Sequence, residues 1–578
     1  MPRTRQAAAI RRGGLSLVLL LLLSGCRLSL DPAQIPCTAQ DFCPAGFVCE
    51  GLDEGPTGSC VEAADDDDAT DDDDVVDDDD ATDDDDVVDD DDATDDDDVV
   101  DDDDATDDDD TIDDDDGVDD DDTIDDDDAV DDDDAVPTVP CPQHVDADSQ
   151  APSPDGSGGA AWPTIQQAID AAFGGGCDDV AIAGGDYDEA LTLPSGSALS
   201  LEPEGAGDRV ALTSSGPALI TGTSTASGTA LSGFDLDCGS ATGRRALVLS
   251  SAALELSDSS ISQCRGAEGG AIRSTSSALI LRDVSVVGSV ATQTTGGAIW
   301  AQGGSLEVEG SLFDGNSATG DGGAVWLDGV TADLETSTFE ANQAGAGQHG
   351  GGIFATDSAT SLEIAACTFV DNVGEEGGAI HLYLGTAVIS GSLFHGNQGT
   401  DQGGALFLQS ADDTIVNNNL FLENESENGA TVYDWGSTLD MGWNTLVGNI
   451  ATWGADVRLG TSGAFHHGIV AGTTCGGATF GDCGEGIDRF SPSTSPVSYV
   501  AIWGTEGQAF SGDPDKTVVH IAQDPEFVAW STSTAWTTWD LQLMPGSPCV
   551  DAGDPAESDA DGSLPDLGAY GGSEPYGL

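Results

Sequence analysis

One position of a repeat in this chain collects aromatic and basic side chains. Arg273, Trp300, Trp326, Phe354, His381, Phe407, Tyr433 and Arg458 are each the fifth residue of a Gly-Gly-Ala-Ile-like turn. Each follows an apolar residue, Ile272 through Val457, that strand alternation places inside, so the column is expected to face out. Two positions further along, on the same face, stand Gln302, Asp328, Tyr383, Gln409 and Trp435. Stacked rings bordered by amides and cations suit flat sugar rings, which offer apolar faces and hydrogen-bonding edges. The other reading is that the rings ladder merely to cover the backbone.

A second outward column holds acids: Glu307, Asp333 and Glu363, with Glu309 and Glu335 two positions on. Carboxylates about 5 Å apart on a sheet repel, so either cations, calcium first among them, sit between them or the face is simply solvated. Asp559, Asp561 and Asp566 have part of a calcium-loop spacing but lack its bidentate Glu. Paired carboxylates can hydrolyse a glycoside, which keeps Asp328 beside the aromatic column in view. The histidines His349, His381, His395, His466 and His467 form no constellation along the sequence.

The elements that must position these residues follow from the period. The first glycine of each turn falls at Gly269, Gly296, Gly322, Gly350, Gly377, Gly403, Gly429 and Gly454, a spacing of 25 to 28 residues that marks a solenoid. A second marker pairs Phe313 with Asn316, Phe339 with Asn342, Phe369 with Asn372, Phe394 with Asn397, Phe421 with Asn424, and Leu446 with Asn449. Phe234 and Ile261 extend the apolar column toward the N-terminus. Short alternating runs such as Leu306-Glu307-Val308-Glu309 read as strands, and strands at a fixed period predict parallel coils. Stacked Phe would then fill the core and stacked Asn would satisfy an inner turn.

The rest of the 578-residue chain is unlike this repeat. Residues 65–134 carry twelve Asp tetrads, a composition that cannot bury a core and predicts a disordered, self-repelling tether. The whole chain has a formal net charge of −96, and residues 141–578 alone hold 56 acidic against 9 basic residues. Nucleic acid is excluded as a partner because phosphate binding needs a basic stripe; cations and neutral glycans suit this surface better.

At the N-terminus, Arg3, Arg5, Arg11 and Arg12 precede the apolar run Leu15 to Leu23, and Leu23-Ser24-Gly25-Cys26 follows. That tetrad resembles a bacterial lipobox. The resemblance implies cleavage before Cys26, lipidation of its thiol, attachment to a membrane through the lipid, and an outer-membrane or cell-surface location. Cysteine usage fits export: with Cys26 set aside, twelve remain of the thirteen. Cys238 and Cys264 lie one coil apart and are expected to bridge, Cys475 and Cys483 to close a local loop, and Cys141 to reach Cys177. Cys37, Cys43, Cys49 and Cys60 are expected to form two bridges in a small module, in one of three connectivities.

The GGAI turn followed by FxxN resembles the repeat of polymorphic outer-membrane proteins. Residues 141–578 as a whole resemble right-handed parallel β-helix proteins of the pectin-lyase-like class, with the run from Trp162 resembling their capping helix and first coil. The runs from Asp524, Leu541 and Asp559 resemble the end of bacterial choice-of-anchor Q proteins. The resemblance implies an all-β, right-handed parallel β-helix, and it implies a polysaccharide lyase or glycoside hydrolase as the alternative to a binding protein. Against catalysis, Lys516 is the sole lysine and lies outside the regular repeats, and the GHG and RIK motifs of polygalacturonases are absent. The expected organisation is a signal peptide (1–25), a lipidated Cys-rich module (26–64), an Asp-rich stalk (65–140), a β-helix with an N-terminal cap (141–487) and the end of the helix with its cap (488–578).

Overall fold

Two glycines open most coils for two different reasons, the last two turns having Ala430 and Ala455 in the second place. The first, at Gly269, Gly296, Gly322, Gly350, Gly377, Gly403, Gly429 and Gly454, has φ between 58° and 90°, a conformation a side chain disfavours. The second lies against the next coil: a Cβ on Gly297 would fall 1.9 Å from the carbonyl oxygen of Gly323. The computed structural model describes residues 140–578 except 430, 478–482, 490–495, 512–519, 532, 573–575 and 577–578, together with three strands nearer the N-terminus. The lipidation of Cys26, the bridges among Cys37, Cys43, Cys49 and Cys60, and the Asp tract lie outside the described residues.

The chain divides into two units, Met1–Ile124 and Asp125–Leu578. In the first, Pro36–Thr38, Phe47–Glu50 and Thr57–Glu62 form an antiparallel sheet in which Cys49 stands opposite Cys60.

The second unit is a parallel β-solenoid with almost no helix. Its register follows the repeat. Ile272, Ile299, Val325, Ile353, Ile380, Leu406, Val432 and Val457 pair in succession along one sheet. A 14-stranded sheet carries the other apolar column, where Phe313, Phe339, Phe369, Phe394 and Phe421 stack with ring centroids 4.8–4.9 Å apart. Toward the N-terminus that column continues through Val286, Ile261 and Leu236. Phe234, the residue expected there, is one pleat away and pairs Val210, because alternation places both Phe234 and Leu236 inside.

Beside the phenylalanines runs a polar ladder. Asn316, Asn342, Asn372, Asn397 and Asn424 each donate from Nδ2 to Oδ1 of the next asparagine, at 2.9–3.1 Å, and the last acceptor is Asn449. Each Oδ1 also accepts the backbone N–H of the asparagine before it, and each Nδ2 donates to a carbonyl of the Phe column. All six are fully buried with their polar groups satisfied.

The segments at the two ends of the solenoid pack differently. The helix Ile165–Gly175 lays Ile165, Ala168, Ile169 and Ala172 over the first coil. Thr164 and the carboxylate of Glu189 accept its first amides, and Gly176 ends it in the left-handed region. The C-terminal segment from Phe527 instead lies along the outside of the 14-stranded sheet: Leu541, Cys549, Leu567 and Ala569 pack on Leu422, Val447, Ile469 and Ala471.

Disulfides join Cys141 to Cys177, Cys238 to Cys264 and Cys475 to Cys483, with Cα separations of 5.6, 4.8 and 5.2 Å. Cys367 and Cys549 are free and buried, and burial pushes both thiols up to about 12, which leaves them inert.

Candidate functional site

Each glycine turn is flanked by two columns five residues apart. Behind it stands the fifth-residue column. Ahead of it, the residue just before the first glycine runs Glu268, Thr295, Asp321, His349, Glu376, Gln402, Asn428 and Trp453. Coil stacking puts these in one line: the amides of Gly296, Gly322, Gly350 and Gly377 donate to the carbonyls of Asp321, His349, Glu376 and Gln402. The register then carries the line from Glu376 through Gln402 and Asn428 to Trp453. This column was legible at a fixed offset from the glycines, but reading only the fifth residue missed it.

The fifth-residue column lies outside the solenoid core, as alternation requires, yet it is not an open strip. Trp300, Phe354, His381, Phe407 and Tyr433 are buried and Trp326 is half-buried. Trp300 stacks on Trp326 at 5.3 Å, His381 lies 5.0 and 4.8 Å from Phe354 and Phe407, and Phe407 stacks on Tyr433 at 5.2 Å. Arg273 and Arg458 close the two ends as cations over Trp300 and Tyr433, 5.2 and 5.1 Å from the ring centroids. The column sits in the crook of the glycine turns: a Cβ on Gly429 would come 3.0 Å from Cδ2 of Tyr433. The rings cover the bend and one another, so little of their faces opens to solvent except at Trp326. Tyr383 and Trp435, two residues along, are exposed at 40% and 50%.

The acid column is stacked but does not converge on one point. Glu307, Asp333 and Glu363 pair in register, one per coil, but Arg282 reaches Glu307 and Glu309 and lies 3.5 Å from Glu255. A guanidinium thus answers the top of the column, while Asp333 and Glu363 point into solvent. Asp328 accepts a 2.8 Å bond from Gln302. In the tail, Asp559 accepts the amides of Asp566 and Gly572 and Asp566 accepts that of Asp551, so these carboxylates are turned to the backbone. His466 and His467 bond each other at 2.8 Å, with Asp440 on the first and the amide of Asp554 on the second, a polar seam holding the tail.

The preceding-residue column contains what the other two lack. At its C-terminal end Trp453 is 52% exposed and walls two cavities. One, of about 430 Å³, is lined by Gln398, Thr400, Glu425, Ser426, Glu427 and Thr452. The other, of about 540 Å³, is lined by Arg458, Glu485, Asp488, Gln508 and Ser511, with Arg458 Nε 3.3 Å from Asp488.

Three coils earlier the same column brings histidines and acids together. Asp321 Oδ1 lies 3.0 Å from His349 Nδ1 and accepts the His349 amide at 2.8 Å. His349 Nε2 is 3.5 Å from Glu376 Oε2, and His381 Nδ1 is 3.7 Å from that same oxygen. His381 is 2% exposed, and burial pushes its pKa down to about 3. The bond to Asp321 raises His349, and burial raises Glu376. For Asp321 burial acts upward but is outweighed by the His349 ring and amide, which hold it low.

Several solved structures are similar to the chain. Among those that match are a pectate lyase, Pel9A (11% identity, 74% of this chain and 96% of that one, TM-score 0.32), and an alginate lyase, AlyF-OU02 (12%, 62% and 87%, 0.29). Another is the A-module of the Azotobacter vinelandii mannuronan C-5 epimerase AlgE4 (12%, 61% and 94%, 0.26). No curated protein matches the chain. Residues 224–398 match the family model described as a right handed beta helix region, and the coils seen here are those of such a helix.

Proposed function

We propose that this chain is an exported binding protein, held to an outer membrane or cell surface through a lipid on Cys26, that contacts a glycan at the cleft walled by Trp453. The observation that carries the reading is the position of that indole. It is half exposed between two cavities whose other walls are amides, hydroxyls and carboxylates. An indole face stacks on a pyranose ring while the polar walls take its hydroxyls. Trp435 and Tyr383 add further exposed aromatic surface on the outer side of the coils.

Charge narrows the ligand. Glu425 and Glu427 line the first cavity, and Glu485 and Asp488 line the second together with Arg458. A polyuronate would meet repulsion there, so a neutral glycan is the better partner. The Asp tract of residues 65–134, self-repelling by composition, would hold the binding unit away from the membrane.

The test is a glycan array probed with the full chain and with Trp453→Ala. Neutral oligosaccharides bound by the parent chain should be held about tenfold or more weakly by the variant, because the stacking face is gone. Equal binding by the two proteins would remove the cleft from consideration.

A further inference from the structure

The column that reaches Trp453 carries a different chemistry three coils earlier. His349 and Glu376 occupy the same position in consecutive coils, and His381 stands five residues after Glu376, across the turn. One ligand atom from each of the three lies within 4.8 Å of the others, the one such convergence of three or more His, Cys, Asp or Glu side chains among the described residues. Three separate features of the group point to a bound ion.

The first is spacing. Nitrogen and oxygen ligands about 2.0–2.1 Å from a tetrahedral ion stand about 3.4 Å from each other. His349 Nε2 and His381 Nδ1 approach Glu376 Oε2 to 3.5 and 3.7 Å, long for hydrogen bonds and close to that ligand spacing. The second is the outer carboxylate. Asp321 takes the Nδ1 side of His349, which fixes the proton there and turns the Nε2 lone pair toward Glu376, as in a carboxylate–histidine–metal arrangement.

The third is His381 itself. Its neighbours in the column are Phe354 and Phe407, a setting that suits a third phenylalanine. Instead the place is held by an imidazole that is 2% exposed and has no well-formed hydrogen bond on either nitrogen, only the weaker polar influence of the Glu376 backbone and the Gln409 side chain. A buried polar group without a partner is destabilising unless something outside the polypeptide meets it. Glu376 Oε2 lies 3.7 Å from its Nδ1.

We infer that His349, Glu376 and His381 bind a divalent transition-metal ion, zinc by ligand type, with Asp321 orienting His349 from behind. Two imidazoles and one carboxylate suit zinc and its neighbours, whereas calcium takes oxygen ligands throughout. His349 and Glu376 remain about a quarter to a third exposed, which leaves a coordination position open to water or a ligand. The assignment does not depend on the glycan cleft.

The experiment uses the full chain, freed of metal with EDTA and titrated with Co²⁺ in excess Ca²⁺, so that the oxygen donors of the Asp tract are occupied. One Co²⁺ per chain should give the intense visible bands of a low-coordinate nitrogen and oxygen site, and Zn²⁺ should displace it. His381→Phe, which keeps the aromatic packing, and Glu376→Gln should each weaken binding about tenfold or more while leaving the metal-free unfolding midpoint near that of the parent. Absence of the bands in the parent chain, or bands of equal strength and affinity in both variants, would overturn the assignment.

Discussion

Asp456 has no exposed surface, yet its carboxylate meets three side-chain donors: Thr431, Thr473 at 2.8 Å and Asn449 Nδ2 at 3.3 Å. The asparagine ladder, whose donors all point toward the C-terminus, therefore ends on an anion. Burial raises its pKa from 3.8 to about 6, the three bonds offsetting only part of that. Below pH 3.8 both folded and unfolded chains carry the proton. Between about 3.8 and about 6 the folded chain keeps a proton that the unfolded chain has lost, so this group's contribution to stability falls as pH rises through that window and stays low above it. A shift of about two units corresponds to about 3 kcal/mol. Asp456→Asn keeps the shape without the titration, so its stability relative to the parent should improve by up to about 3 kcal/mol between pH 4 and pH 7, read from urea unfolding. A difference that stays constant with pH would mean that the carboxylate is ionised throughout. The sequence hid this residue for the same reason it hid His349 and Glu376. Asp456 follows a glycine turn by two positions and matches no ladder until the asparagines are traced in space. His349 and Glu376 stand in a column that is visible only when the residue ahead of the glycine is aligned.

Elements were far more legible than sites, because a ladder repeats its signal in every coil whereas a site is made once. The FxxN spacing alone placed the phenylalanine stack and the buried asparagines. Its limit appears at Phe234, where two inward residues of one strand compete and only pairing with Ile261 decides for Leu236. What alternation could not report is whether an outward residue is also exposed. Trp300 and Tyr433 do face away from the core, but the bend of the chain at the glycines closes over them. The asparagine ladder makes an element-level prediction. Asn372 accepts from both the backbone N–H and the Nδ2 of Asn342, and donates to Phe339 O and Asn397. Asn372→Ala strands two donors and one acceptor in a dry interior, each costing about 1–3 kcal/mol. A loss of about 3 kcal/mol or more in denaturant unfolding is expected. A loss below about 1 kcal/mol would show that water replaces the missing amide.

A solenoid is held together by contacts between neighbouring coils, so its stability accumulates along the axis and a charge pattern that repeats in each coil acts on all of them. The described coils carry acids on successive strands, Glu307 beside Asp333 and Asp333 beside Glu363, and residues 141–578 hold 56 acidic against 9 basic residues. Arg282, set among Glu255, Glu307 and Glu309, relieves one end of one column. Farther along, the acids face like charge across adjacent coils. Such repulsion opposes the folded state, in which the charges are fixed close together, more than the unfolded state, in which they spread. Salt shortens its reach from about 30 Å at 0.01 M to about 8 Å at 0.15 M. The thermal midpoint of the full chain should therefore climb as NaCl is raised over that range at neutral pH, opposite to the effect expected where stability rests on exposed ion pairs. A midpoint that does not move with salt while falling on addition of EDTA, in Glu376→Gln as in the parent chain, would show that bound cations already neutralise the acid ladder, and the solvated reading of that face would have to be given up.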